Sequence, residues 1–243
     1  MGARENIYPE LAFGGFTRRD GTLAFYARMN ALLPPGARVL DYGCGVGAHA
    51  SLLPPFIRGL QVLRGRVAEV IGTDVDPAGA TNPYIDRFVP LEPGFRIPLD
   101  AGAVDLVVCD WGLEHFEHPH AFFEEVKRVL KPGGHLCLRT PNLLHYSSFG
   151  AKMIPFRFHH AVRRALGHFH GEDDVFPTYY RCNTRGALER ALRRSGFDAC
   201  VIRHRGESHT ARAGVAVGWA GEMIERWSPM ALAHELHAFA RKA

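Results

Sequence analysis

The sequence predicts an α/β fold, built on a doubly wound and mostly parallel sheet. Short apolar runs of strand length recur along the 243 residues, and segments of helical periodicity separate them. The connections between these elements are short, so right-handed strand–helix–strand units are expected. The run "VDLVVCD" (104–110) is apolar almost throughout, which is typical of a parallel strand covered on both faces.

The expected strands share a short apolar or alternating pattern that ends in a turn signal. They are residues 37–43, 67–74, 86–91, 104–110, 135–140, 198–204 and 235–242. The first, "ARVLDYG", enters a glycine-rich loop, and the second, "VAEVIGTD", ends in an acid. We expect the last strand, "ELHAFARK", to run antiparallel at the edge of the sheet.

The expected helices share apolar residues at i, i+3 and i+4 spacing. They are residues 22–33, 48–60, 120–130, 184–197 and 213–227, and a strand that runs into a helix is the alternative for the last of these. Pro34-Pro35 and "KPGG" end the first and the third helix, and Pro54-Pro55 interrupts the second. Thr184 and Gly196 are expected to cap the fourth helix at its two ends.

The pattern divides the chain into an N-terminal cap and one larger domain. Residues 1–35 are expected to form the cap and residues 36–243 the domain. Between about residues 141 and 182 the regular pattern lapses, and His, Arg, Phe and Tyr become frequent. We predict a helical, aromatic insertion there, after the fifth strand. Residues 13–26 and 141–181 would then form lids over a ligand.

Composition points to a globular protein of a reducing compartment. Hydrophobic residues make up 47% of the chain and charged residues 22%. The five Cys are odd in number and form no CxxC pair, which argues against a disulfide framework. No apolar run approaches ~18 residues, so neither a membrane span nor a signal peptide is expected, and a cytoplasmic location follows. A net charge of +4 is too small to indicate nucleic-acid binding.

The first strand leads into "VLDYGCGVGAHA" (39–50), a glycine loop that suits a nucleotide-like ligand. Glycine permits both a left-handed turn and a close approach of the backbone to the ligand. No Lys stands where a phosphate-binding loop requires one, and the GxGxG spacing departs from the GxGxxG of dinucleotide sites. Asp41, two residues before the loop, suits a ligand with an ammonium group. The loop by itself leaves a generic tight turn as the alternative.

The second strand ends in "GTDVDP" (72–77), which places carboxylates at the same edge of the sheet. Asp74 at this strand end can accept hydrogen bonds from both hydroxyls of a ribose. Asp76 is better explained as a helix cap, and a cap is also the alternative for Asp74.

Four motifs in order carry a family resemblance: "VLDYGCGVG", "VIGTDVDP", "DAGAVDLVVCDWGLEHFEHP" and "EEVKRVLKPGGHLCLRTPN". Together they resemble the class I S-adenosylmethionine-dependent methyltransferases, in particular the type 11-like branch with LEH after the fourth strand and LKPGG before the fifth. The resemblance covers about residues 36–142. It implies a Rossmann-like sheet, methyl transfer, and S-adenosylmethionine as the cofactor.

The resemblance also implies a set of cofactor-binding residues. The glycine loop would pack against the methionine part of the cofactor, with Asp41 near its amino group. Asp74 would hold the ribose and Val75 would lie against the adenine. For the residue after the third strand that contacts the adenine amine, Leu91 and Glu92 are both candidates. The full implied set is Asp41, Gly43, Cys44, Gly45, Gly47, Asp74, Val75, Asp110 and Trp111.

Methyl transfer requires an aligned acceptor and a dry site, and an oxygen acceptor commonly needs a base. His115, just past the fourth strand, is the candidate base or could orient the cofactor, with a structural contact as the alternative. Acceptor-pocket candidates are Tyr26, Tyr179, Tyr180 and Arg181, because aromatic rings and Arg give shape and charge together. Asp110 and Trp111 would line the methyl-transfer side.

We expect a small-molecule or glycan-like acceptor that is methylated at oxygen. The basic, His-rich segment at residues 152–174 could bind an anionic acceptor or RNA. An RNA methyltransferase is therefore one alternative, and a non-catalytic S-adenosylmethionine-binding module is another. No metal site is predicted.

Overall fold

The computed structural model describes residues 3–92, 94, 96–153, 177–212 and 214–243, which form one seven-stranded sheet. The strands are β1 (Arg38–Tyr42), β2 (Glu69–Thr73), β3 (Arg87–Phe88), β4 (Val104–Asp110), β5 (Leu130–Pro141), β6 (Phe197–His204) and β7 (Glu235–Lys242). Their order is β3-β2-β1-β4-β5-β7-β6. Strands β1 to β5 pair in parallel, and β7 is antiparallel to both of its neighbours. The predicted Rossmann-like sheet with an antiparallel last strand is confirmed.

Helices pack on both faces of this sheet. They are α1 (Ala3–Ile7), α2 (Gly21–Ala31), α3 (Ala48–Ser51), α4 (Pro55–Gln61), α5 (Pro119–Val129), α6 (Tyr146–Met153), α7 (Arg185–Arg194) and α8 (Val215–Trp227). Asp20 caps α2 by accepting a hydrogen bond from the Leu23 N–H at 2.8 Å. Thr184 caps α7 as predicted, accepting from the Ala187 N–H at 3.4 Å. Pro54 separates α3 from α4, so the predicted interruption is also confirmed.

Alternate residues of the central strands face two separate apolar clusters. Leu40 of β1 joins a cluster that includes Phe123 of α5, whereas its neighbour Val39 joins a cluster with Phe25 and Met29 of α2. The side chains of all five residues are fully buried. Complete burial of one such side chain stabilises a fold by about 1.5–3 kcal/mol, so both layers hold the sheet in place.

The last strand is not at the edge of the sheet, and in this respect the prediction was wrong. Strand β7 lies between β5 and β6, and β6 forms the edge. Residues 235–238 of β7 are all buried, whereas buried and exposed residues alternate from Phe197 to Val201 in β6. Alternation suits a strand with one free face, and continuous burial suits a strand covered on both. The order of the two strands depends on pairing with β5, which lies far away in the sequence.

The third strand is shorter than predicted, with regular pairing only at Arg87–Phe88. Pro90 has no N–H to donate, which ends the regular ladder. Val89 and Leu91 still donate backbone hydrogen bonds to β2 and the residue after it, at 2.9 and 3.1 Å. The chain therefore continues along β2 toward the carboxyl edge of the sheet.

Part of the predicted insertion, residues 154–176, lies outside the described ranges. Helix α6 stands at its start. Within the described part of the chain, no helix is both long and apolar enough to cross a membrane. Among the same residues, no group of three His, Cys, Asp or Glu side chains is arranged to hold a metal ion.

Candidate functional site

A cleft of ≈ 910 Å³ opens at the carboxyl ends of the central strands. This edge, where successive connections turn to opposite faces, is the usual ligand site of a doubly wound sheet. Predicted site residues supply much of the lining, namely Tyr26, Asp41, Gly43, Cys44, Gly45, Gly47, Asp110 and Trp111. Five polar lining residues were not predicted, namely His49, Gln61, Asn82, Tyr84 and His234.

The glycine loop follows β1 and is held from two sides. Gly43, Gly45 and Gly47 have φ angles of 78°, 47° and 76°, in the left-handed region that favours glycine. The Gly43 N–H donates to the last carbonyl of β2 at 2.8 Å. From the other side, Asn82 Nδ2 donates to the Cys44 carbonyl at 2.8 Å. The loop is therefore fixed by the protein itself.

Replacing Gly47 by Ala is expected to destabilise the loop more than the same change at an open glycine. A Cβ on Gly47 would stand 2.5 Å from Asn82 Oδ1 and 2.9 Å from Cδ2 of Tyr84, so both side chains would have to move. Gly36→Ala is the matched control, because Gly36 has φ 65° and no atom within 4 Å of the added Cβ. Urea unfolding should show a loss of about 1–2 kcal/mol for the control and about 1–3 kcal/mol more for Gly47→Ala. Equal losses would contradict the steric argument.

Asp41 carries a carboxylate into the base of the cleft. It lines the cleft and accepts no hydrogen bond from the residues that the structure describes. Burial, together with the negative charges of Asp110 and Asp74, raises the pKa of Asp41 to about 7. A cationic group of a ligand would relieve this unfavourable environment, because it favours the charged form of the acid.

Asp74 and Val75 lie beside the cleft and do not line it. Asp74 accepts hydrogen bonds from the Gly45 N–H at Oδ2 and from the Asp76 N–H at Oδ1, both at 2.9 Å. Its two oxygens thus brace the glycine loop and the turn after β2. The Val75 side chain is 56% exposed. The ribose role of Asp74 and the adenine role of Val75 stay predictions.

Neither of the two adenine candidates after β3 lines the cleft. Leu91 packs against the main apolar cluster, and Glu92 forms an isolated backbone bridge with Arg96. Asn82 and Tyr84, between β2 and β3, line the cleft instead. This connection therefore supplies polar groups to which no sequence motif pointed.

A buried ion pair joins the ends of β4 and β5. Arg139 donates from Nε and Nη2 to the two carboxylate oxygens of Asp110, at 2.6 and 2.8 Å. The Tyr26 hydroxyl donates to the same carboxylate at 3.0 Å and accepts from Gln61 Nε2 at 3.2 Å. Arg139 is only 2% exposed and also donates to Thr22 Oγ1 at 2.9 Å. Bidentate pairing of this kind fixes a carboxylate geometrically, so Asp110 has a defined position in the cleft wall.

Trp111 follows the ion pair in a strained backbone conformation. Its φ angle is 58°, which costs a non-glycine residue about 1–2 kcal/mol. The Trp111 N–H donates to the Arg139 carbonyl at 2.9 Å, and its ring centroid lies 5.5 Å from Arg139 Cζ and 5.7 Å from the His234 ring. Such strain persists where the surroundings enforce it, often at functional sites. Here it accompanies the placement of the indole in the cleft wall.

His234 connects the cleft to a second cavity of ≈ 270 Å³, since it lines both. Its Nδ1 lies 3.3 Å from Glu235 Oε1, and Glu235 Oε2 is 2.8 Å from Nε2 of His237. Although burial raises the pKa of Glu235, hydrogen bonds with the two histidines and the charge of Arg139 hold it well below its usual value. An imidazole held by an ionised carboxylate is the arrangement of a general base and its orienting acid.

His115, the predicted base, lies in the turn after β4 but does not line the cleft. Its Nδ1 is 2.9 Å from the Pro177 carbonyl oxygen. The preceding residue, Glu114, is buried, and its backbone carbonyl accepts from the N–H groups of Tyr179 and Tyr180 at 2.7 and 3.2 Å. Burial raises the pKa of the Glu114 carboxyl to about 7. The turn is thus tied to the chain at residues 177–180, and the catalytic role of His115 stays a prediction.

Of the predicted acceptor residues, Tyr26 lines the cleft and the other three do not. Tyr180 is buried with φ 50°, and burial raises its pKa to about 12. Arg181 is exposed, with Cζ 5.8 Å from the Tyr179 ring centroid, and it lines a separate cavity of ≈ 420 Å³. These residues follow the segment that lies outside the described ranges, and their acceptor role stays a prediction.

Arg139 and His234 are the main site residues that the sequence reasoning missed. Arg139 is the lone charged residue in the apolar strand "HLCLRT", and a charge inside a buried strand signals a buried partner. His234 belongs to "HELH", where two histidines flank an acid as the last strand begins. Both signals were visible, but neither identified its partner.

The sequence is similar to those of known proteins. A family model described as "Methyltransferase domain" matches residues 17–201. "Ubiquinone biosynthesis O-methyltransferase" of Xanthomonas axonopodis pv. citri is 32% identical over 148 residues, which cover 53% of this chain and 56% of that protein. "Ubiquinone/menaquinone biosynthesis C-methyltransferase UbiE" of Caulobacter sp. is 30% identical over 149 residues, or 54% and 57% of the two chains. The chain thus spans about half the length of the curated relatives it matches.

Solved structures share the fold. An S-adenosylmethionine-dependent methyltransferase from Mesorhizobium loti superposes with a TM-score of 0.56 and 20% identity, covering 90% of this chain and 98% of that one. A possible histamine N-methyltransferase from Thermotoga maritima gives a TM-score of 0.57 at 14% identity, covering 93% and 90%. At these identities the likeness concerns the fold alone.

Proposed function

The chain belongs to the class I S-adenosylmethionine-dependent methyltransferases, and from this premise we propose that it methylates an oxygen atom of a small hydroxylated acceptor. One observation supports oxygen as the methylated atom. His234, backed by Glu235, lines the main cleft and a second polar cavity. A hydroxyl group is a weak nucleophile until a base removes its proton, and a positioned imidazole is a common base.

The cleft fits S-adenosylmethionine, the cofactor of the family. A Cβ on Gly43 or Gly45 would meet no atom within 4 Å, so open space lies beside the loop. The Asp41 carboxylate in the same cleft suits the ammonium group, and we assign it that role. When bound, S-adenosylmethionine supplies an electrophilic methyl group. We assign the ribose to Asp74, whose carboxylate would then share its oxygens with the Gly45 N–H.

The chain's own task is to align the acceptor hydroxyl, take up its proton and exclude water. We place the hydroxyl at His234, whose Nε2 takes up the proton. Glu235 at Nδ1 fixes the tautomer and stabilises the imidazolium that forms. Arg139, with Nη1 3.9 Å from Glu235 Oε2, helps to keep that carboxylate ionised. Tyr26 and Trp111 wall the same region of the cleft.

The second cavity supports a small acceptor. Its volume is ≈ 270 Å³. Positively and negatively charged side chains both line it, namely those of Arg4, Arg19, Asp20, Glu207 and Glu235. Mixed charges suit an uncharged hydroxylated molecule better than a polyanion, which argues against RNA. Relatives named as O-methyltransferases of ubiquinone biosynthesis support methylation at oxygen, and we propose a hydroxylated aromatic ring as the acceptor. A glycan-like acceptor is the alternative within the same chemical class.

A turnover assay tests the proposed function. The full chain is incubated with S-adenosylmethionine and panels of catechols, hydroxybenzoates and sugars, and products are identified by mass spectrometry. We expect S-adenosylhomocysteine and a methyl ether in equal amounts with one panel. Methylation at carbon or nitrogen would overturn the oxygen assignment. Tight binding of S-adenosylhomocysteine without turnover on any panel would favour a non-catalytic cofactor-binding module.

Binding of S-adenosylhomocysteine is expected to weaken as the pH falls below about 7. Burial and the charges of Asp110 and Asp74 raise the pKa of Asp41 to about 7, so the carboxyl is ionised above that pH and protonated below it. Only the ionised form attracts the ligand's ammonium group, and the affinity can fall up to about tenfold per pH unit. Calorimetric titrations at several pH values measure this slope. Asp41→Asn should bind weakly at all of them, and a slope that survives in this variant would contradict the assignment.

A further inference from the structure

Helix α8 (Val215–Trp227) turns its acidic side inward and its apolar side outward. Glu222 and Glu225 are 6% and 1% exposed, whereas Trp219 and Trp227 are 46% and 74% exposed. A surface helix ordinarily does the opposite and buries its apolar stripe. The outward side therefore suits surroundings other than water.

The buried acids fix this orientation. Glu222 accepts a hydrogen bond from the Tyr8 hydroxyl at 2.6 Å and pairs with Arg19 Nη1 at 2.8 Å. Glu225 lies 2.8 Å from Nε2 of His145, the residue that precedes α6. Turning the helix to bury its tryptophans would break these pairs and leave buried charges without partners, at a high cost in free energy.

Two glycines on the inward side bring α8 close to its neighbours. A Cβ on Gly218 would overlap Ile7 of α1, and one on Gly221 would overlap Thr210. The helix is therefore closely packed along this side, and the outward orientation is a fixed feature of the fold.

The outward side of α8 and the turn after it form what we call the α8 face. Its exposed apolar residues include Val217, Trp219, Met223, Ile224, Trp227 and Met230. Helix α6, which begins directly after the Glu225 partner His145, also has exposed apolar side chains, those of Phe149 and Met153. Among the described side chains of the two helices, the exposed charges are those of Arg226 and Lys152, and no acid is exposed.

We propose that the α8 face lies on the surface of an anionic phospholipid bilayer. Tryptophan favours the boundary between hydrocarbon and water, and basic residues beside it pair with lipid phosphates. The cation of Arg226, 6.0 Å from the Trp227 ring centroid, combines both features. The helix would lie in the interface with its inward side still bound to the protein.

A second copy of the chain fits this face less well. In a two-fold symmetric dimer the same patch meets itself, so Arg226 and Lys152 of both copies would be brought into one interface. With no exposed acid on either helix to pair them, the like charges would repel. Lipid phosphates supply the missing negative charge.

Helix α8 also adjoins the site through its inward side. The His145 ring, bound to Glu225, lies 5.1 Å from the His234 ring, which lines the cleft. Docking through α8 would therefore bring the acceptor end of the cleft near the bilayer. The inference does not depend on the proposed reaction, because lipid binding is measured without turnover.

Vesicle sedimentation tests the proposal with the full chain. We expect binding to phosphatidylcholine vesicles that contain about one third phosphatidylglycerol and much weaker binding to pure phosphatidylcholine. The double variant Trp219→Ser/Trp227→Ser should bind at least about tenfold more weakly. Leu52→Ser is the control, because Leu52 is 72% exposed but lies outside this face, and it should bind like the parent chain.

A second measurement does not rely on weakened binding. Brominated phospholipids should quench the fluorescence of Trp219 and Trp227, two of the three Trp in the chain. The variant Trp219→Phe/Trp227→Phe keeps the face apolar, so it should still sediment with vesicles but lose the quenching. Failure of the parent chain to bind either vesicle, or a dimer that the Ser variant dissociates, would overturn the proposal.

Discussion

The variant Arg139→Met is expected to lose about 3–5 kcal/mol of unfolding free energy, the largest stability effect that the site predicts. Arg139 is 2% exposed and forms two hydrogen bonds with Asp110, at 2.6 and 2.8 Å. Methionine fills similar space but has no charge, so the buried Asp110 carboxylate and nearby Glu235 would lose their common cation. The cost arises mainly from the Asp110 carboxylate, because Glu235 keeps its hydrogen bonds with His234 and His237.

Arg38→Met is the matched control for this loss. Arg38 in β1 pairs with Glu69 at 2.7 Å, but its side chain is 39% exposed. An exposed pair contributes about 0–1 kcal/mol, so the control should unfold close to the parent in urea. Similar losses for the two variants would contradict the argument from burial.

The variant His234→Gln is expected to lower kcat by about 10²–10⁴-fold on the oxygen acceptor. Glutamine retains polar atoms near Glu235 but cannot take up the acceptor's proton. Binding of S-adenosylhomocysteine should change little, because the assigned cofactor contacts lie at the glycine loop, Asp41 and Asp74. Single-turnover rates and calorimetry separate the two effects.

His115→Gln supplies the control and decides between two bases. His115 does not line the cleft, and its Nδ1 is 2.9 Å from the Pro177 carbonyl. We expect this variant to keep kcat within a few-fold of the parent value, and to keep the pH–rate profile. The reverse result, with a large loss at His115 and none at His234, would restore the base that the sequence motif suggested.

Features that depend on neighbours along the chain could be predicted from the sequence. The glycine loop after β1 follows from local backbone requirements, because left-handed turns favour glycine. The caps at Asp76 and Thr184 likewise depend on residues two or three positions away. These patterns predicted most of the sheet and several lining residues of the cleft.

Features that depend on distant pairing could not be predicted in this way. The place of β7 between β5 and β6 follows from hydrogen bonding between segments far apart in sequence. Arg139 meets Asp110 because β4 and β5 pair in one register, and another register would separate them. His234 enters the cleft only because β7 pairs with β5, which no local pattern specifies.

The central position of β7 also constrains the order of events during synthesis. Until residues 235–242 have left the ribosome, β6 has no strand to pair with and β5 has a free edge. An unpaired edge next to apolar residues is prone to association with other chains. The nascent protein therefore passes through a stage in which five strands can be paired and His234 and Glu235 are still absent. Synthesis of the same few residues therefore ends the most aggregation-prone interval of biogenesis and completes the site.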